Sequence, residues 1–137
     1  MPEIQSTKEQ RFYATGKRKT AIARVYLYPQ GKGTIEVNSQ PLEQYFGRKT
    51  SQMVVKQPLV LTKTLKSVDL YVKASGGGKA AQADAIKHGI AKALVTFDQS
   101  FRKVLKAEKF LRRDDRIVER KKSGQSGARK KYQYSKR

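Results

Sequence analysis

The chain has 137 residues, of which 31 are Lys or Arg and 11 are Asp or Glu, giving a formal net charge of +20 at pH 7. That length fits one domain with extensions, and no run of about 20 apolar residues is present to span a bilayer. The absence of cysteine excludes a disulfide framework or a thiolate metal site, and the single histidine, His88, argues against zinc sites and Ser-His catalysis. So one-sided a charge repels itself and calls for a polyanionic partner. The opening MPEIQSTKEQ lacks the apolar segment of a secretion signal, so an intracellular protein is expected.

Residues 1–10 are polar and are expected to be a flexible N-terminus, followed by a globular domain over 11–111. Arg11 to Thr15 predicts a first strand, and Gly16-Lys17-Arg18-Lys19 a turn crowned by three cations. From Thr20 to Tyr28, Ala21, Ala23, Val25 and Leu27 alternate with Ile22, Arg24, Tyr26 and Tyr28. The first set suits a core and the second an amphipathic outer face. Pro29 to Gly33 turns the chain, and Thr34 to Asn38 returns as a strand with Ile35 and Val37 inward. These three strands are expected to form an antiparallel meander. Pro41 to Phe46 predicts a short helix capped by Asn38 or Ser39. Between Thr50 and Lys66, Pro58 predicts two short helical pieces, or a helix and a loop. Val68 to Ala74 reads as a strand with Val68, Leu70, Val72 and Ala74 inward, and Asp69, Tyr71 and Lys73 outward.

After Ser75 and three glycines, Lys79 to Phe97 is the best helix in the sequence. Ala83, Ile86, Ile90, Leu94 and Phe97 form its apolar stripe. Gln82, Ala85, Gly89 and Ala93 lie beside the stripe and are mostly small, which would let the helix lie close to a sheet. Gly89 costs about 1 kcal/mol of helix propensity, which close packing would offset. Asp98 or Ser100 caps a further helix with Phe101, Val104 and Leu105 inward, and Phe110 and Leu111 close the core. The element order predicts an α/β two-layer sandwich with helices on one face of one sheet.

Residues 112–137, RRDDRIVERKKSGQSGARKKYQYSKR, carry 11 cations against three acids, and past Val118 no aliphatic residue is larger than Ala128. Such a segment cannot bury enough apolar surface to offset its ordering entropy. It reads as an extended basic tail that a polyanion such as RNA would order. From Glu119 onward it could reach about 60 Å, against a radius of gyration of about 13 Å for the body.

Gly76-Gly77-Gly78-Lys79 invites a P-loop reading, but position 73 is lysine rather than glycine and position 80 is alanine rather than Ser or Thr. What survives is backbone that could approach a phosphate at a helix start. Lys17, Arg18, Lys19 and Arg24, with Tyr26 and Tyr28, mix cations and stackable rings on one hairpin, as phosphate clamping and base contact would need. Lys87 and His88 lie off the apolar stripe of the long helix, where His88 reads as a surface or RNA-facing residue. No general acid/base pair stands out, so no catalytic residue, cofactor or metal is expected.

Three stretches carry a family resemblance. Ala14-Thr15-Gly16-Lys17-Arg18-Lys19-Thr20-Ala21, with Ala23-Arg24-Val25, resembles the opening signature of the ninth protein family of the small ribosomal subunit, of bacterial or organellar type. Gly76-Gly77-Gly78, Gln82, Ala85 and His88-Gly89-Ile90-Ala91-Lys92-Ala93-Leu94 resemble its central glycine-helix signature. Val118-Glu119-Arg120-Lys121-Lys122 and the closing Ser135-Lys136-Arg137 resemble its tail. Ser123, Gly127 and Tyr134 stand where family members often have proline, lysine and phenylalanine.

The resemblance implies a four-stranded mixed sheet with a left-handed βαβ crossover, an exception to the usual handedness. It implies binding to small-subunit rRNA of the head, beside neighbouring ribosomal proteins, in a bacterial cytoplasmic or plastid ribosome. Contact with rRNA would fall to Lys17, Arg18, Lys19 and Arg24, to Gly76, Gly77, Gly78 and Lys79, and to Lys87 and His88. In the tail it would fall to Arg112, Arg113, Arg116, Arg120, Lys121, Lys122, Arg129, Lys130 and Lys131. The resemblance also sends the chain end, Tyr134, Ser135, Lys136 and Arg137, to tRNA in the peptidyl site. The alternative from the residues alone is a free nucleic-acid chaperone or DNA-compacting protein.

Overall fold

The computed structural model describes residues 11–133, so the expectations for residues 1–10 and for Tyr134 to Arg137 lie outside the described residues. Its elements run β1 (Phe12–Arg18), β2 (Ala21–Pro29), β3 (Ile35–Val37), β4 (Gln40–Pro41), α1 (Leu42–Tyr45), α2 (Lys49–Leu61), β5 (Val68–Ser75), α3 (Lys79–Phe97), a 3-10 turn (Gln99–Phe101) and α4 (Arg102–Ala107). They form a mixed five-stranded sheet in the order β1-β2-β5-β3-β4, one strand more than expected, the addition being the two-residue β4.

The alternation read from the sequence holds on both long strands. Ala21, Ala23, Val25 and Leu27 are buried from β2, as are Val68, Leu70, Val72 and Ala74 from β5. These side chains meet Ile86, Ile90 and Leu94 of α3 in one core. Full burial of each large aliphatic side chain stabilises the fold by roughly 1.5–3 kcal/mol. α3 starts and ends where its periodicity predicted, lies across β1 and β2, and packs against α2 on its flank.

The expected meander does not form. β2 pairs with β5, antiparallel, from Ile22↔Ser75 to Pro29↔Val68, while β3 lies on the far side of β5 and pairs with it in parallel. β5 offers β2 a ladder along eight residues, whereas β3 has only three to offer. Asp69 guides the chain past β5. Its Oδ1 accepts N–H bonds from Lys32, Gly33 and Thr34 at 2.9, 3.1 and 2.9 Å, fastening the β2–β3 loop to β5.

The first turn is also shorter than expected. β1 continues through Gly16 to Arg18 and pairs Arg18↔Ala21, leaving Lys19 and Thr20 as the loop, with Lys19 at φ 54°. Gly16 is therefore a strand residue beneath α3. A Cβ there would land within the van der Waals shells of Ala85 O and Gly89 N, and 2.9 Å from Gly89 Cα. Gly16 and Gly89 face each other where β1 and α3 cross.

Asn38 and Ser39 do not cap α1, whose N-cap is Pro41 without a side-chain bond. They form the β3–β4 turn with φ of 51° and 66°, conformations that Asn tolerates because its short side chain bonds locally. Asn38 extends the ladder beyond β3: its Nδ2 donates to Ala74 O and its Oδ1 accepts from Ala74 N, both at 2.9 Å. Of the two outcomes expected, a helix and a loop is the one observed: α2 runs unbroken to Leu61 and is not in two pieces. Pro58 sits in its last turn, where it forfeits one backbone bond instead of ending the helix. Asp98 accepts from Ser100 N at 3.0 Å and caps the 3-10 turn as expected. Leu105 is buried beyond it, but Val104 is 43% exposed and does not face inward.

Candidate nucleic-acid interface

The β1–β2 tip, the glycine run and the β3–β4 turn sit at one end of the sheet. Gly76 and Gly77 have φ of 74° and 64°, and a Cβ on Gly76 would strike Thr20 O. The glycines thus let the β5–α3 connection lie against the tip of the first hairpin. Gln82 holds this loop from within α3: its Nε2 donates to Gly76 O at 3.0 Å, and its Oε1 accepts from the Tyr45 hydroxyl. The Tyr45 ring lies 3.3 Å from Lys79 Nζ, so Lys79 is parked on an aromatic face at the start of α3. Gly78, the N-cap, has no heavy atom within 4 Å of an added Cβ and remains open.

Lys17 and Lys19 are exposed at this end, and Arg24 is exposed farther along β2. Arg18 differs, being only 14% exposed in its side chain. Its Nη1 lies 2.9 Å from Asp114 Oδ1 and donates to Arg116 O at 3.1 Å, while its Nε lies 3.6 Å from Asp84 Oδ2. Arg18 therefore ties the base of the tail to β1 and α3. Asp114 is held well below the usual carboxylate range, first by side-chain and backbone bonds from Arg116, and further by the charges of Arg116 and Arg18.

His88 is a second pin in the same region. Its Nδ1 accepts a long bond from Lys17 N–H at 3.5 Å, and Nε2 lies 3.3 Å from Leu111 O. An Nε2–H tautomer satisfies both contacts, joining β1 and the segment after α4 through α3. Burial lowers its pKa below the ordinary 6.5; the Leu111 bond opposes this, and the charges of Lys92, Arg113 and Lys87 add to it. His88, read from the sequence as a surface or RNA-facing residue, is half-buried and also packs as a connector. Lys87 lies 5.3 Å from the Phe110 ring centroid and helps seat it. Together with Lys109 and Arg112 these groups line a cleft of about 310 Å³.

Residues 112–133 contain no helix or strand beyond the Gln125↔Lys131 bridge. Glu119 gathers Lys122 and, at 2.8 Å, Arg129 into a local turn, and Arg116 pairs with Asp114. Arg112, Arg113, Arg120, Lys121, Lys130 and Lys131 are exposed and have no acid partner among the described residues.

The sheet's outer face carries residues that sequence reasoning left apart. Tyr13, Tyr26 and Tyr71 share one cross-strand row, with ring centroids 5.1 and 6.3 Å apart. The next row joins Thr15, Arg24 and Lys73. Outward alternation had marked Tyr71 and Lys73, but only the β2–β5 pairing sets them beside Tyr26 and Arg24. Tyr28 lies one step along, opposite Asp69.

No group of three or more His, Cys, Asp or Glu residues gathers to hold a metal among the described residues. No described helix is long and apolar enough to cross a membrane.

Comparison with known proteins bears on this basic surface. The family model for ribosomal protein S9/S16 matches residues 16–137. The small ribosomal subunit protein uS9 of Syntrophobacter fumaroxidans is 56% identical over 129 residues, covering 94% of this chain and 98% of the relative. Those of Maridesulfovibrio salexigens and Lawsonia intracellularis are 58% and 55% identical over 125 residues, covering 91% of this chain and 95% of each relative. The match takes in the Gly16–Gly89 crossing, the glycine run and the whole cationic tail, and the chain belongs to the ribosomal protein S9/S16 family.

Proposed function

We propose that this chain is a non-catalytic constituent of the small ribosomal subunit, docked by its body on head-domain rRNA and reaching peptidyl-site tRNA with its tail. Membership of the family and the names of the relatives support the subunit assignment. The observation that carries RNA binding is the set of exposed cations without acid partners among the described residues, Lys17, Lys19 and Arg24 on the body and Arg112, Arg113, Arg120, Lys121, Lys130 and Lys131 in the tail. Phosphates would fill that role, with counterion release as the driving force. Arg18 and His88 serve differently in this reading. They fix where the tail leaves the body, so that its cations start from a set place. The reading keeps the left-handed β3–β5 crossover and neighbouring head proteins as partners. The bacterial relatives favour a bacterial cytoplasmic ribosome over a plastid one.

Sucrose-gradient sedimentation of the tagged protein tests the assignment: it co-migrates with small subunits and whole ribosomes, whereas a free chaperone would spread over many RNAs and leave in high salt. Deleting Ser135 to Arg137 tests the tRNA role. Subunits carrying the truncated chain assemble but bind peptidyl-site tRNA about tenfold more weakly, or 1.4 kcal/mol, by filter binding. Equal affinity would leave the tail as an rRNA anchor only.

A further inference from the structure

The outer face of the sheet carries a specific chemistry. Tyr13 is 49% exposed, and Tyr26 and Tyr71 continue its row across three strands. Arg11 stands 5.3 Å from the Tyr26 ring centroid and closes part of that middle ring; Tyr71 is half-buried, with Glu36 of β3 opposite it at the end of the row. Beside this row, Arg24 and Lys73 lie directly opposite each other on β2 and β5. Like charges opposed across a ladder are destabilising, and neither residue has an ion pair among the described residues. An anion lying over both would relieve that repulsion.

We infer that this face is a stacking platform for unpaired RNA nucleotides, the bases lying on Tyr13 and Tyr71 and the phosphates on Arg24 and Lys73. The inference rests on the rRNA-binding reading and adds to it a place and a kind of RNA. A duplex keeps its base faces stacked inside and offers nothing to tyrosine rings, whereas splayed nucleotides offer both a ring and a phosphate. An acidic protein segment would satisfy the two cations but leave the rings without planar partners. Base–aromatic stacking contributes about 1–3 kcal/mol per base, or roughly 5- to 150-fold in affinity.

The decisive experiment places the photo-crosslinker p-benzoylphenylalanine at position 13 or 71 and irradiates purified small subunits containing the protein. An adduct sensitive to ribonuclease supports the platform. An adduct to a neighbouring protein, or none, overturns it. If the unsubstituted chain fails to enter subunits, the rRNA-binding reading itself falls; if it enters and no RNA adduct forms, only the platform falls. In solution the probe is a single-stranded RNA of about ten nucleotides. Tyr13→Ala with Tyr71→Ala weakens its binding by at least about fivefold without changing the salt slope. The paired Tyr→Phe variants keep affinity because the rings remain. Arg24→Gln with Lys73→Gln lowers the slope by about 0.7 per lost phosphate contact. Unchanged affinity in the folded double-alanine variant overturns the inference.

Discussion

Gly16→Ala and Gly89→Ala introduce the same methyl group on opposite sides of one crossing, and their costs differ for reasons visible in the geometry. At Gly89 the new Cβ meets Val25 Cγ2 at 2.7 Å and Gly16 N at 3.1 Å. Val25 is fully buried and stiff at χ1, so it yields only by shifting with its strand. Overpacking of this kind costs about 1–3 kcal/mol. Alanine recovers about 1 kcal/mol of helix propensity at position 89, so the net loss is about 0–2 kcal/mol. At Gly16 the new Cβ meets only backbone of α3, namely Ala85 O, Gly89 N and Gly89 Cα. No rotamer relieves that contact, and β1 gains no helix propensity in return. The helix must lift from the sheet along its closest line of approach, at a cost of about 3 kcal/mol or more. Against a total stability of about 5–15 kcal/mol, that is a large fraction. Urea unfolding of the full chain, followed by far-ultraviolet circular dichroism, measures both. Gly16→Ala unfolds at much lower urea than Gly89→Ala. A Gly16→Ala midpoint equal to the parent's, or a reversed order of the two variants, would refute the crossing as the point of closest approach.

Acidification reports on His88. Burial holds its folded pKa below 6.5, so the unfolded chain binds the extra proton first and stability falls as pH drops through 6.5 toward the folded value. The urea midpoint therefore declines as pH falls through 6.5, and His88→Gln flattens that decline; an unchanged slope would remove His88 as its source. Arg18→Ala releases the base of the tail, so hydrogen exchange and proteolysis speed up at residues 112–118 while α3 amides stay protected; equal rates would mean the tie is idle. Because Asp114 is ionised well below 3.8, the same tie persists at neutral pH and is lost only as pH falls below that value toward its depressed pKa. Deleting residues 120–137 leaves the melting transition nearly unchanged but lowers the salt slope of rRNA binding by about 0.7–0.9 per lost phosphate contact; a collapsed dichroism spectrum would place the tail in the core.

The elements whose burial is decided locally were legible. The two-residue period of Ala21 to Leu27 and of Val68 to Ala74, and the stripe of α3, each need only one neighbour to hide from water. The partner choice of β2 was not legible, because alternation states which face of a strand is buried and is silent on which edge meets which. That gap hid the tyrosine row, since its members come from β1, β2 and β5. Gly16 was read as turn chemistry because glycine suits turns and close contacts equally, and only α3 overhead decides between them. The packing of His88 was not legible for a related reason: it lies off the apolar stripe, and the segment it meets at Leu111 arrives from 23 residues away. Pro58 was legible as a helix end but not as a residue within the last turn.

The central position of β5 sets the order in which the protein can take shape during synthesis. Until Val68 to Ser75 has left the ribosome that is making it, the β1–β2 hairpin and the β3–β4 hairpin have no common neighbour. At about 5–20 residues per second, the hairpins wait for several seconds with bare edges. An unpaired edge is a template for the wrong chain. The first hairpin exposes Arg24 and the cations of its tip, so copies that meet early repel one another. The charge that suits the finished molecule to a polyanion also guards the nascent one against its own kind.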